Sequence, residues 1–375
     1  MIDTVVLSIL KSKTMSLDLT ANGVQGWELQ SRTGAYHKYV RNPSPRESAI
    51  MYFPRLTYYK RKGQIMAQDA LRVEFSVPKL IYQNNIDELA DSDFSRVVEV
   101  LRDRLGRMGV VVSAKEIENS AVMAVHYSKN ISLKGGYTAR YVIGELGKVD
   151  INKRFDFTRA RYINDGQSLY AYTASHSFVI YDKVADLNKG SKRAIDKDQP
   201  PKQLSLFERL DGKTEVLRVE ARLSRKSKVN SLFAKLGFGQ DPTFKDAFSS
   251  KKSTAVLGYY WTGLIEKNSL LLFAPSLGPK ELFRQIMVSI SGIKGKKAIY
   301  LTGLALLAKN GHGLRELRAL LPKGDYASWR RIRGDLAALE ASLTGFNPLD
   351  WYLQVRSAIG DYKPLKTKEL STLGK

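Results

Sequence analysis

The segment "SHSFVIYDKVADL" (175–187) places a tyrosine and a lysine two residues apart. Read as a strand, it points Ser177, Val179, Tyr181 and Lys183 one way and Phe178, Ile180 and Asp182 the other. A strand tyrosine is ordinarily packing or sheet surface. With a cation on the same face it is also a candidate nucleophile. A phenol with a pKa near ~10 attacks phosphorus only when a neighbouring positive charge or a metal favours the phenolate. Lys183 is placed to supply that charge, or to pair with a phosphate oxygen.

Three more segments alternate and carry polar groups on one face. In "LRVEFSV", Leu71, Val73, Phe75 and Val77 form an apolar side and leave Arg72, Glu74 and Ser76 opposite. In "VLRVEARL", Leu217, Val219, Ala221 and Leu223 are apolar, leaving Arg218, Glu220 and Arg222. In "VMAVHYS", His126 shares a side with Val122 and Ala124, away from Met123, Val125 and Tyr127. Taken singly, each is more often a solvated sheet face, and Arg–Glu–Arg reads as an ion-pair ladder. If the polar faces converge, Glu74, His126 and Glu220 make an O/N/O set suited to Mg²⁺ or Mn²⁺. Such an ion holds a scissile phosphate and neutralises its developing charge. Asp3 is a further carboxylate near the start of the first strand, where an edge position favours a plain structural role.

Other chemistries are excluded. The histidines are His37, His126, His176 and His312, and no two are separated by a single residue. Neither an "HExxH" zinc motif nor a "GxxxxGK[ST]" phosphate loop occurs. With no cysteine, disulfides, thiolate metal sites and a cysteine nucleophile are absent, which fits a cytoplasmic home.

The elements that must position these residues follow from period and punctuation. The 375 residues suit two domains. To about residue 225, "TVVLSIL", "ALRVEFSV", "AVMAVHYS", "SLYAYTA", "SFVIYDK" and "EVLRVEARL" read as strands. Between them, "DSDFSRVVEVLRDRLGRMG" is an amphipathic helix, with Asp91, Ser92 or Asp93 to cap it and Val97, Val98, Leu101 and Leu105 on one stripe. "NKGSKRAIDKDQPPKQ" (188–203) is a surface loop. From residue 226 to 375 the pattern is helical, as in "KVNSLFAKLGF" and "KELFRQIMVSISGI". The expected class is α+β: an antiparallel sheet flanked by helices over 1–225, then a helical module. Within that module, 313–340 reads as helix, turn, helix, with Arg330, Arg331 and Arg333 largely off the apolar stripe of the second helix.

Sixty Lys and Arg against 37 Asp and Glu give a net charge of +23, spread along the chain. A polyanion is the natural partner, and nucleic acid the commonest one. "YFPRLTYYKR" adds Arg55, Lys60 and Arg61 interleaved with Tyr58 and Tyr59, a mixture that grips a strand or lines a basic hairpin. No apolar run reaches the length of a membrane span, and "MIDTVVLSILKSK" reads as a first strand, not a secretory signal.

In order, "MIDTVVLSI", "YFPRLTYYKR", "LRVEFSVPKLIYQNN", "AVHYSKNI", "FVIYDKVADL" and "VLRVEARLSRKSKV" resemble the replication initiators of the filamentous-phage gene II/X family and their plasmid-borne relatives. The resemblance covers most of the first 230 residues. It implies rolling-circle initiation: a tyrosine cuts one strand of origin DNA, stays on the 5′ phosphate, leaves a 3′ hydroxyl for the host replication machinery, and later rejoins the strand. By that resemblance Tyr181 is the nucleophile, Lys183 its basic neighbour, and Glu74 and Glu220 the motif glutamates. His126 stands where the phage proteins commonly have an aspartate. Relaxases and single-strand transposases share this chemistry; the competing class is an initiator or repressor that binds DNA without cutting it.

Overall fold

Alternation of apolar and polar side chains in the central strands builds the ten-stranded sheet that dominates the chain. The computed structural model describes residues 1–12, 15–17, 19, 26–33, 35–61, 68–151, 159–163, 167–189, 214–268, 271–273, 276–343 and 347–370. The strands are β1 (Ile2–Leu10), β2 (Glu28–Arg32), β3 (Tyr36–Arg41), β4 (Arg55–Arg61), β5 (Ala70–Ser76), β6 (Ala121–Ser132), β7 (Arg159–Ile163), β8 (Ser168–Tyr172), β9 (His176–Asp182) and β10 (Val216–Leu223). They are antiparallel in the order β2-β3-β4-β5-β1-β6-β10-β9-β8-β7. The first strand is therefore central, not an edge.

One side of the sheet is apolar and buried. Val5, Leu7 and Ile9 of β1 line up with Leu71, Val73 and Phe75 of β5, while Leu217, Val219 and Ala221 of β10 sit beside Phe178 and Ile180 of β9. Each such Val, Leu or Phe withdrawn from water contributes about 1.5–3 kcal/mol. Helices cover this side. Helix α1 (Lys226–Lys235) stacks Phe233 against Tyr127 of β6, and α2 (Ser250–Leu264) sets Tyr260 against Phe178. Helix α3 (Asp350–Gly360) buries Trp351, Tyr352 and Val355. Side chains from the sheet and from the helices beyond residue 225 belong to one hydrophobic core, so the change of element type at 225 is not a break in packing.

The predicted strands are all present, and the helix expected after residue 91 runs Phe94–Arg107 with Val97, Val98, Leu101 and Leu105 buried. The expected helical pair forms as Gly313–Leu320 and Tyr326–Ser342. The loop predicted at 188–203 lies outside the described residues from 190 onward. Among the described residues, no helix is long and apolar enough to cross a membrane.

Candidate active site

The opposite side of the sheet is polar, and its register brings the expected groups together. Tyr181 pairs with Arg218, and Val179 with Glu220, between β9 and β10. Across the next ladder Arg222 pairs with His126 and Glu220 with Ser128, so His126 and Glu220 are diagonal neighbours. His126 in turn pairs with Thr4 of β1, and Thr4 with Ser76 of β5. These strands surround a cavity of about 200 Å³. Tyr181, His126, Glu220, Glu74 and Asp3 all line it, with Arg55, Lys79 and Arg222 as cations.

Asp3 reaches the cavity through an irregularity. Strict alternation puts it with Val5, Leu7 and Ile9 on the core side. The register of β1 against β6 slips between Ile2 and Thr4, and adjacent residues Asp3 and Thr4 both line the cavity. Such a bulge re-aims a side chain beside a site. Asp3, His126 and Glu220 each offer a ligand atom, all within 4.8 Å of one another. Two carboxylates and an imidazole at that spacing fit a hard or borderline divalent cation such as Mn²⁺ or Mg²⁺. Glu74 lines the same cavity but belongs to a strand on the other side of β1, where it pairs with Val6 and Arg55. The acidic group around His126 is thus Asp3 and Glu220, where the sequence had suggested Glu74 and Glu220.

Arginines balance these acids. Arg222 chelates Glu220 through Nε at 2.9 Å and Nη2 at 3.0 Å. Arg218, almost fully buried, meets Asp3 at 2.5 Å and stands 3.8 Å from Glu220. Burial opposes ionisation of Glu220, yet Arg222 and then Arg218 outweigh it and hold its carboxyl down at about 2. Burial pulls His126 down to about 4 against the pull of Glu220, so its imidazole is neutral near pH 7 and free to act as a ligand through a lone pair.

Both shifts make the metal-free fold acid-sensitive. Between pH 6.5 and about 4 the unfolded chain takes up a proton at His126 that the folded chain refuses, and between 4.5 and about 2 the same holds for Glu220. Unfolding midpoints recorded from pH 7 down to pH 4 are expected to fall continuously in chelated protein. A flat profile over that range contradicts the placement of His126.

Tyr181 is 2% exposed. Burial raises its phenol well above the ordinary value, and Arg218 is the largest charge pulling it back. The partner expected from sequence, Lys183, is not on the strand. β9 ends at Asp182, whose carboxylate accepts from the Ala185 amide at 2.8 Å and caps a short helix beginning at Lys183. Lys183 is fully buried, with its ammonium over the Tyr181 ring, 5.9 Å from the centroid. The basic neighbour is retained, but it faces the ring and not a shared strand surface.

Of the residues read as DNA contacts, Arg55 lines the cavity and Arg61 lies on the same side of β4, whereas Lys60 alternates to the other side with His37. Arg330 and Arg331 are exposed; Arg333 donates to Asn268 at 3.0 Å. Sequence reasoning did not nominate Lys79 or Tyr52. Lys79 sits one turn into the helix Val77–Tyr82, 1% exposed, and Tyr52 accepts from the Ser76 amide at 2.7 Å. Neither lies in an alternating run that marks a polar face, so no period announces them. No family model, curated protein or solved structure matches the chain.

Proposed function

We propose that the protein is a rolling-circle replication initiator that cuts one strand of origin DNA through Tyr181, remains joined to the 5′ phosphate and later rejoins the strand. The observation that carries this reading is the convergence of Tyr181 with Asp3, His126 and Glu220 on one cavity, in a chain of net charge +23. Bound there, Mg²⁺ or Mn²⁺ supplies Lewis-acid neutralisation of the charge that develops on a phosphate. The phenolic oxygen of Tyr181 forms the bond to phosphorus as the bond to the 3′ oxygen breaks. The phenol gives up its proton and the departing oxygen gains one. The diester is conserved, so rejoining needs no nucleotide, in keeping with the missing phosphate loop. Arg55 and Lys79 suit the non-bridging oxygens, one through a planar fork and one as a point charge.

Incubating the protein and Mn²⁺ with a pool of random single-stranded oligonucleotides, then denaturing, tests this whatever the sequence of the origin. An adduct attached at Tyr181 supports the proposal; none with any member of the pool, or with supercoiled origin DNA, removes it. One observation favours the second reading, an initiator or repressor that binds DNA without cutting it: the near-complete burial of Tyr181 and its reluctance to ionise.

The arginine clamp gives a separate check on the metal. Because Arg222 occupies both oxygens of Glu220, Arg222→Gln is expected to tighten Mn²⁺ binding at least about tenfold. A tenfold change is about 1.4 kcal/mol, the order of the repulsion expected between a guanidinium and a nearby dication. Calorimetric titration showing equal or weaker affinity in the variant contradicts a cation at Asp3, His126 and Glu220.

A further inference from the structure

The polar side of the sheet continues beyond the cavity in both directions, and its composition changes from acids to rings, joined by arginines on the β3–β5 side. On β3–β5, the register puts Tyr36 beside Arg61, Lys38 beside Tyr59, and Thr57 beside Arg72. Tyr36 and Tyr59 meet edge to face at 5.3 Å. Arg61 lies 5.8 Å from the centre of the Tyr36 ring, and Arg72 lies 4.8 Å over Tyr59 while donating to its hydroxyl at 3.3 Å. Arg61 and Arg72 are exposed, and both rings are half-buried. Arg55, next along the same side of β4, leads into the cavity. Beyond Tyr181, β8 carries a second pair on the same side, Tyr170 and Tyr172, with ring centres 4.9 Å apart. Tyr58 does not take part: it is buried on the core side and donates to Asp69 at 2.5 Å.

We infer that these two aromatic wings form a track for single-stranded nucleic acid, crossing the strands of the sheet and passing through the cavity. The inference rests on the reading of the cavity as a phosphodiester site. Rings on a sheet face present π-surfaces on which bases stack whatever their sequence, and the guanidiniums of Arg61 and Arg72 on the β3–β5 wing suit the backbone phosphates. Stacking of this kind requires bases free of a duplex, and a broad sheet face enters neither groove. From β3 to β8 the track crosses seven inter-strand spacings of about 4.8 Å each, which suits a site of several nucleotides.

The test uses fluorescein-labelled oligo-dT in chelator, with every variant in a Tyr181→Phe background so that no chemistry intervenes. Tyr59→Ala and Tyr172→Ala are each expected to weaken binding about 5- to 150-fold with the salt dependence unchanged, and Tyr59→Phe to restore it. Arg72→Gln is expected to make the logarithmic salt slope shallower by about 0.7. Affinity for a duplex of equal length stays constant across the ring variants. Wild-type affinity for oligo-dT in both alanine variants, or equal losses for duplex and single strand, overturns the track. Because binding is read without cleavage, an intact track in a protein that forms no adduct counts against Tyr181 alone, and an adduct with no effect of the ring variants counts against the track alone.

Discussion

Tyr181→Phe is expected to yield a folded protein that retains DNA and forms no covalent adduct. Phenylalanine keeps the ring between Lys183 and the neighbouring strands, so packing persists and only a hydroxyl is lost. The cost to stability is then expected to stay below about 1 kcal/mol. The effect on cleavage is of another order. The attacking atom is gone, and loss of a covalent nucleophile in hydrolytic enzymes costs on the order of 10⁶-fold. Denaturing gels of protein with labelled DNA and Mn²⁺ read the adduct, and filter retention reads binding. The essential control is Tyr52, the other tyrosine on the cavity wall, whose hydroxyl already accepts from the Ser76 amide. Tyr52→Phe is expected to keep the adduct. An adduct that survives in Tyr181→Phe and vanishes in Tyr52→Phe transfers the chemistry to the other ring.

For the proposed reaction, the resting state of Tyr181 also indicates where activation would come from. Its phenol is held neutral by burial, which outweighs the pull of Arg218. In that reaction, ionisation would accompany the arrival of further positive charge and not precede it. In this arrangement Lys183 lies over the aromatic face, and the positive charges that bear on the oxygen are the arginines of β10, opposed by Glu220 and Asp186.

Much of this was legible because period-two alternation is a strong signal. "LRVEFS" and "VLRVEARL" place Glu74 and Glu220 on the polar side without further information, and the cavity receives both. What alternation cannot express is a break in itself. The slip at Asp3 moves a carboxylate from the core side to the cavity, and only pairing with β6 reveals it. The end of β9 was misplaced for a related reason: "YDKVAD" continues a strand pattern, yet Asp182 is an N-cap and turns the chain into a helix. Nor does a segment report its neighbours. Glu74 and Glu220 look equivalent in sequence, but β1 and β6 lie between their strands, so Asp3 and not Glu74 completes the group around His126. The aromatic wings were half visible for the same reason: adjacent Tyr58 and Tyr59 face opposite sides, and Tyr36 joins Tyr59 only across a ladder.

Glu88→Ala is expected to destabilise the fold by about 3–5 kcal/mol, the range for removing one partner of a buried ion pair. Glu88 and Lys129 are paired with side chains 4% and 5% exposed. The carboxylate also accepts from the amides of Asn130 at 2.6 Å and Leu365 at 2.9 Å. Its backbone holds the segment 362–367 through Leu365 and Lys366, while Tyr362 donates to Leu89 at 2.8 Å. Removing Glu88 therefore strands a buried ammonium, and the carbonyl of Lys363 at 2.8 Å is a weak substitute for a charge. The same network reaches the cavity. Asn130 donates to the carbonyls of Asn85 and Ile86, and Arg218 donates to Asn85 at 2.8 Å while bound to Asp3. Loosening Glu88 is thus expected to free Arg218 and reduce cleavage along with stability. Urea unfolding measures the first effect. The double variant Glu88→Gln with Lys129→Met separates charge from hydrogen bonding, because it removes both ions while the Gln amide oxygen still accepts from a backbone amide, and it is expected to recover part of the loss. A decline below about 1 kcal/mol in Glu88→Ala, or a double variant no more stable than the single one, shows that the buried pair does not hold this part of the chain together.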